Sequence, residues 1–175
     1  GATVVGARNF LIAVNFNLNT ESREVAAAIA ARVRASGEVL RDAEGNIVRD
    51  EEGRAVRRPG LLRGCKAIGW YIEEYGCAQV SMNINDVALC PIHTAYEMVC
   101  AVAKDMGAEV TGTELIGLIP DLCLIEAGRH FAAEEAGNVV INEEATLMHI
   151  AVNAMRMDDL GTFDVAQKVL RVRAN

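Results

Sequence analysis

The sequence has no excess of positive charge, no Cys/His metal motif, no bilayer-length apolar run and no nucleotide-binding or nucleophile signature. Each absence removes a class of function. Lys and Arg number 17 against 24 Asp and Glu, a net charge of −7, whereas domains that bind nucleic acid by neutralising phosphates are basic overall. No nucleic-acid partner is expected. Cys65, Cys77, Cys90, Cys100 and Cys123 lie inside apolar runs at spacings unlike CxxC or Cys/His sites. They are expected to be reduced core thiols of a cytoplasmic protein, and no metal is expected. No apolar stretch approaches the ~20 residues that span a bilayer, and no signal-peptide pattern opens the sequence, so no membrane partner is expected. Gly1, Gly6, Gly37 and the GTELIG segment lack the spacing and strand-to-helix context of a P-loop, a dinucleotide fingerprint or a nucleophile elbow.

What remains is a globular composition. Of 175 residues, 51% are hydrophobic and 23% charged, enough for one domain with a real core and far from the balance of a disordered chain. GATVVGARNFLIAVNF enters strand-like sequence at once from Gly1, which reads as a chain cut from something longer or a subunit made separately from its partner half.

Periodicity predicts the elements. Asn9 to Asn17 is an apolar run of strand length. Thr20, with Glu21 and Glu24 behind it, predicts a helix start, and Val25, Ala28, Ile29 and Val33 recur at helical spacing until Gly37. From Glu38 to Arg58, RDAEGNIVR is followed by RDEEGRAVR, two β-like pieces each led by an acidic-Gly turn, read as a polar hairpin insertion. Cys65 to Ile72 and Cys77 to Ile84 form a hairpin turning at Gly76. A helix after Pro91 runs to Gly107, and a β-like run from Ala108 to Leu118 follows. This order, β, α, β, β, α, β, predicts an α+β ferredoxin-like sandwich over residues 1–118, with the hairpin inserted at 38–60. Residues 119–175 are read as a helical extension packed on the same domain, with helices over Asp121 to Glu134 and Asn142 to Met155 and the tail FDVAQKVLRVR docking back.

Candidate site residues follow from residue type and position. Asn15 and Asn17 share one face of a strand because side chains alternate with period two, and Asn83 and Asn85 repeat the pattern. Such amides read an amide-bearing ligand or satisfy the exposed face of a sheet. Asp86, between strand and helix, positions a substrate amine or caps a turn. His93 lies at a helix start, where the dipole depresses its pKa; a neutral imidazole there contacts substrate or caps its own helix. His130 and His149 read as partly buried helix residues. Arg54, Arg57, Arg58, Arg63 and Lys66 have no acidic residue among them, giving an anion-steering rim or a solvated loop.

Several long motifs, in order, resemble the formiminotransferase family. GATVVGARNFLIAVNFNL is similar to the segment opening that family's C-terminal subdomain. AIGWYIEEYGCAQVSMNINDVALCPIHTAYEMVC resembles its central hairpin and helix, and VTGTELIGLIP its last core strand. MRMDDLGTFDVAQKVL is similar to its closing Gly-Leu-Asp-x-Leu-x-x-Phe-Asp motif, with Arg156 and Met157 in place of Gly-Leu. The sequence departs from the family in the hairpin at 38–58 and in a shortened segment near 134–139. The resemblance implies transfer of a formimino group from formiminoglutamate to tetrahydrofolate, the co-substrate, with a histidine as general base. That histidine belongs to an N-terminal His-Pro motif absent here, so no catalytic residue is expected in this chain, which would be inactive alone. Its implied partner is the N-terminal formiminotransferase subdomain, in cis or in trans, and the assembled enzyme is expected to be a homo-oligomer. Asn15, Asn17, Asn83, Asp86 and His93 would bind substrate on one wall of the cleft, with Arg54, Arg57, Arg58 and Arg63 steering anions. A ferredoxin-like ligand-binding or regulatory module without catalysis is the other reading.

Overall fold

The alternation of side chains along the first strand decides which way the domain faces. In β1 (Ile12–Leu18), Ile12, Val14, Phe16 and Leu18 are all at most 1% exposed, and the intervening Ala13, Asn15 and Asn17 point to the other side of the sheet. The apolar face is covered by α1 (Arg23–Val33), whose buried stripe is Ala26, Ile29, Ala30 and Val33. The computed structural model describes residues 1–7, 9–136 and 141–172.

Two sequence expectations shift here. The first strand begins at Ile12 rather than at Asn9, and residues 1–7 and 9–11 carry no regular secondary structure, because pairing with both neighbouring strands begins only at Ile12 and Ala13. The helix cap is Ser22, whose Oγ accepts from Val25 N at 3.2 Å, while Thr20 Oγ1 accepts from Ser22 N at 3.1 Å. Both hydroxyls suit a cap; the extended backbone at Ser22 (ψ 107°) places the first helical turn after it.

The insertion begins with β2 (Glu38–Val39), which pairs with β3 (Arg57–Arg58). Its two repeats fold alike. Asp42 Oδ1 accepts from Glu44 N and Asn46 N, and Asp50 Oδ1 from Glu52 N and Arg54 N. Arg41 and Arg49 each donate to the carbonyl of the glycine four residues on, at 2.7 Å. Leu40, Val48 and Val56 close a ring of backbone bonds, each donating to one of the others.

β4 (Cys65–Ile72) and β5 (Cys77–Ile84) form the expected hairpin, followed by α2 (Ile92–Asp105) and β6 (Val110–Ile116). The four long strands make one sheet in the order β4-β5-β1-β6, every neighbouring pair antiparallel. α1 packs on β4 and β5, and α2 on β1 and β6; Phe16 meets Tyr96 of α2 with ring centroids 6.2 Å apart. The architecture is α+β, an antiparallel sheet with helices on one face.

β7 (Ile119–Pro120) leads into α3 (Asp121–Ala136), then α4 (Glu144–Ala154), α5 (Val165–Lys168) and β8 (Val169–Leu170). The tail returns, with β8 parallel to β7. Leu124, Leu147 and Met155 join the same buried cluster as the sheet residues. Part of the shortened segment at 134–139, and the last residue of the FDVAQKVLRVR tail, lie outside the described residues. Among the described residues no helix is long and apolar enough to cross a membrane.

Arg156 has φ 53° and is the non-glycine residue in the left-handed region among those described. It stands where the resembled motif has glycine, and a Cβ there costs roughly 1 kcal/mol. Its backbone still lies along the outer edge of β6, where Thr113 N donates to Arg156 O at 3.0 Å. Arg156→Gly is therefore expected to raise stability by about 1 kcal/mol, read as a higher urea midpoint at unchanged m. The reverse outcome would mean that the bond from Arg156 Nη1 to Val110 O outweighs the strain.

Candidate functional site on the open sheet face

The face away from the helices is built by the odd positions of β1 and their cross-strand partners. Asn15 lies between Ser81 and Glu114, and Asn17 between Gln79 and Gly112. Although no helix among the described residues covers them, Asn15 is 6% and Asn17 4% exposed, because they sit inside a hydrogen-bonded network. Asn15 Nδ2 donates to Glu114 Oε2 at 2.9 Å. Gln79 Nε2 donates to Asn17 Oδ1 at 2.5 Å and to Glu114 Oε2 at 3.3 Å. Tyr75, from the β4–β5 turn, reaches across the sheet and donates its hydroxyl to Glu114 Oε1 at 3.1 Å. That bond and the charge of the carboxylate push the Tyr75 phenol up from its usual value. Glu114 thus gathers donors from three different segments. Gln79 Oε1 is buried and has no partner, an unmet acceptor inside the patch.

Around this polar centre the face is apolar and open. Ile68 and Trp70 on β4 are 60% and 39% exposed, and Ile116 on β6 is 47% exposed. Beside β6 a pocket of about 440 Å³ runs between Tyr75, Glu114 and Thr113 on the sheet and Leu160, Phe163 and Lys168 on the returning chain. Asp159 closes against Gly112, where a Cβ would come within 2.7 Å of the Asp159 Cβ. Only glycine leaves that room.

The structure brings some of the sequence-derived candidates together and not others. Asn15, Asn17 and Asn83 share the open face; Asn83 is exposed, pairs across from Ala13 on β1, and neighbours Lys66 on β4. Asp86 shapes the turn after β5, its Oδ1 accepting from Ala88 N and Leu89 N at 3.0 and 3.2 Å. His93 sits on the helix side, its ring stacked on His130 of α3 at 4.5 Å, and Phe131 stands at its edge. Burial and the neighbouring His130 lower the His93 pKa, against the pull of Glu97, Glu126 and Glu134. Acidic partners for the arginines come from outside their stretch. Arg54 pairs with Asp50 and Glu52 and Arg58 with Glu38, while Arg57 reaches Ser36 O at 3.4 Å.

Gln79, Tyr75 and Glu114 escaped the sequence reading. Gln79 and Glu114 share the strand-face parity that singled out the asparagines, which is a usable signal; the reach of Tyr75 out of a turn leaves none. A second group also escaped it. Glu97 on α2, with His130 and Glu134 on α3, holds its ligand atoms within 4.8 Å of one another, and His93/Glu97 and His130/Glu134 have the i, i+4 spacing of one helix face. The cysteines are free thiols, Cys65 and Cys90 buried; the thiols of these two are hydrogen-bonded, which with burial pushes Cys90 up.

Residues 13–174 match the family described as the formiminotransferase domain. The chain is 35% identical over 170 residues to formimidoyltransferase-cyclodeaminase of Gallus gallus, an alignment covering 97% of this chain and 28% of that protein. Against the glutamate formimidoyltransferases of Streptococcus pyogenes serotype M1 and Thermoplasma acidophilum it is 33% and 30% identical, over 77% and 75% of this chain and 38% and 36% of those proteins. The chain spans about a third of the length of the curated relatives it matches. It belongs to the formiminotransferase domain family.

Proposed function

We propose that this chain is the C-terminal half of a folate-dependent glutamate formiminotransferase and supplies one wall of the cleft that holds tetrahydrofolate and formiminoglutamate. One observation carries the reading: an open sheet face with a buried amide and carboxylate network at its centre and exposed Trp70 and Ile68 at its edge. An exposed indole and an aliphatic side chain beside convergent polar groups suit a ligand with an aromatic ring system and amide-like edges. Gln79 Oε1 offers an acceptor to such a ligand. The order β4-β5-β1-β6 around two helices supports a ferredoxin-like βαββαβ core over residues 1–118, with 119–175 as its extension.

In this arrangement Asn15, Asn17 and Asn83 bind substrate, and Glu114 orients the first two through Asn15 and Gln79. Asp86 and His93 act through the segment they shape, Asp86 by holding the turn and His93 by seating α2 on α3. Arg54, Arg57, Arg58 and Arg63 form an anion-steering rim at the hairpin. The general base comes from the N-terminal subdomain, in cis or in trans, so the isolated chain turns nothing over. The assembled enzyme is a cytoplasmic homo-oligomer.

Two measurements test this. Formiminoglutamate and tetrahydrofolate should be converted when the N-terminal half is supplied, and not by this chain alone. In the assembled enzyme, Asn83→Ala should raise the folate dissociation constant roughly ten- to a hundredfold while leaving Tm unchanged, the scale of one lost ligand hydrogen bond at 1 to 3 kcal/mol. A lowered Tm with unchanged folate affinity would make the patch a structural network. Folate binding without turnover in any combination would return the chain to a ligand-binding module.

A further inference from the structure

We infer that α2 and α3 carry a zinc-type cation site formed by Glu97, His130 and Glu134, on the helix side and apart from the proposed folate wall. His130 Nε2 lies 2.7 Å from Glu97 Oε1 and 3.6 Å from Glu134 Oε1. Ligand atoms held by a tetrahedral Zn²⁺ at about 2.0–2.2 Å stand roughly 3.3–3.6 Å apart. The two observed separations bracket that spacing. Opening the shorter one by about half an ångström, within the reach of a glutamate side chain, lets a cation replace the proton shared along it.

Three features favour a cation over an ordinary surface ion pair. The donors come from two helices, and His130 and Glu134 are one turn apart on α3, so their backbones fix the fork. The His130 ring is clamped from one side by His93, stacked at 4.5 Å and 22°, and meets Phe131 at its edge, which holds Nε2 toward the carboxylates. The charge is also unbalanced, since two carboxylates face one imidazole. Side chains of Glu97 and Glu134 are 39% and 59% exposed, which leaves room for water to complete the coordination. Mixed nitrogen and oxygen donors select a borderline ion over the hard Mg²⁺.

The test is calorimetric titration of Zn²⁺ into the chelator-treated 175-residue chain, beside H130Q and E134Q. One ion per chain, bound at least tenfold more weakly by each variant and accompanied by a rise in Tm of the parent alone, is the expected result. Glu134 is exposed, so E134Q keeps the fold, checked by circular dichroism. Absence of saturable binding overturns the site, as does binding that both variants retain. Cobalt substitution gives an independent readout: a spectrum free of a thiolate charge-transfer band is expected, and such a band would move the ion to the cysteines. None of these outcomes depends on folate, so the site stands or falls separately from the transferase reading.

Discussion

Replacing Gly69 by alanine is expected to cost about 3 kcal/mol or more, a large share of the 5–15 kcal/mol that holds a domain of this size together. Gly69 is in β4 on the face that carries α1. A Cβ there would stand 2.0 Å from Ala27 N and 2.2 Å from the Ala26 carbonyl carbon. Both are backbone atoms of a helix, so no side chain can turn away, and α1 as a whole must lift off the sheet. Lifting it opens the contacts of Ala26, Ile29, Ala30 and Val33, all fully buried. A urea midpoint shifted strongly downward at unchanged m checks this. A midpoint equal to the parent's would mean that α1 does not seat on β4.

Glu114→Ala is the second large effect, because the carboxylate is the shared acceptor of the open face. Its removal takes an acceptor from Asn15 Nδ2, Gln79 Nε2 and the Tyr75 hydroxyl. Asn15 and Gln79 are 6% and 0% exposed, and a buried donor left unpaired costs about 1–3 kcal/mol. Tyr75 is exposed enough to turn to water. A loss of about 2–4 kcal/mol is expected, together with a return of the Tyr75 phenol toward its ordinary pKa, which ultraviolet titration reads directly. Under the proposed function, the same change in the assembled enzyme should weaken folate binding more than Asn83→Ala does, since it frees Asn15 and one of the two bonds made by Gln79. Stability and affinity falling in step would separate Glu114, which holds the network, from Asn83, which is exposed and in the proposed function contributes contact without support. Parent-like stability would mean that Asn15 and Gln79 find other partners.

Much of the secondary structure was legible in the residues. The hairpin Cys65–Ile72 and Cys77–Ile84 came out with the bounds that alternation predicts, and the helix after Pro91 and the two later helices fell where apolar spacing places them. Local chemistry was less secure at the ends. Ser22 and Thr20 offer the same hydroxyl, and only the backbone at Ser22 chose between them. The apolar lead before Ile12 has strand composition but no partner strand beside it, and composition alone does not make a strand.

The site divides along the same line. That Asn15 and Asn17 share a face follows from the two-residue period of a strand, a property of the chain itself. That they are buried, and by what, depends on partners 99 and 62 positions away, Glu114 for Asn15 and Gln79 for Asn17. Likewise the turn chemistry around Asp86 is local and was one of its two sequence readings, whereas the stacking of His93 on His130 exists because α2 and α3 pack side by side. The sequence by itself determined the central hairpin, the long helices, the acidic balance and the family, since each rests on period, residue type or ordered motifs along one chain. The tertiary structure decided which face stays open, which carboxylate gathers the amides, and which histidine meets which glutamate. Those are contacts between segments distant in sequence, and no local pattern encodes the register in which they meet.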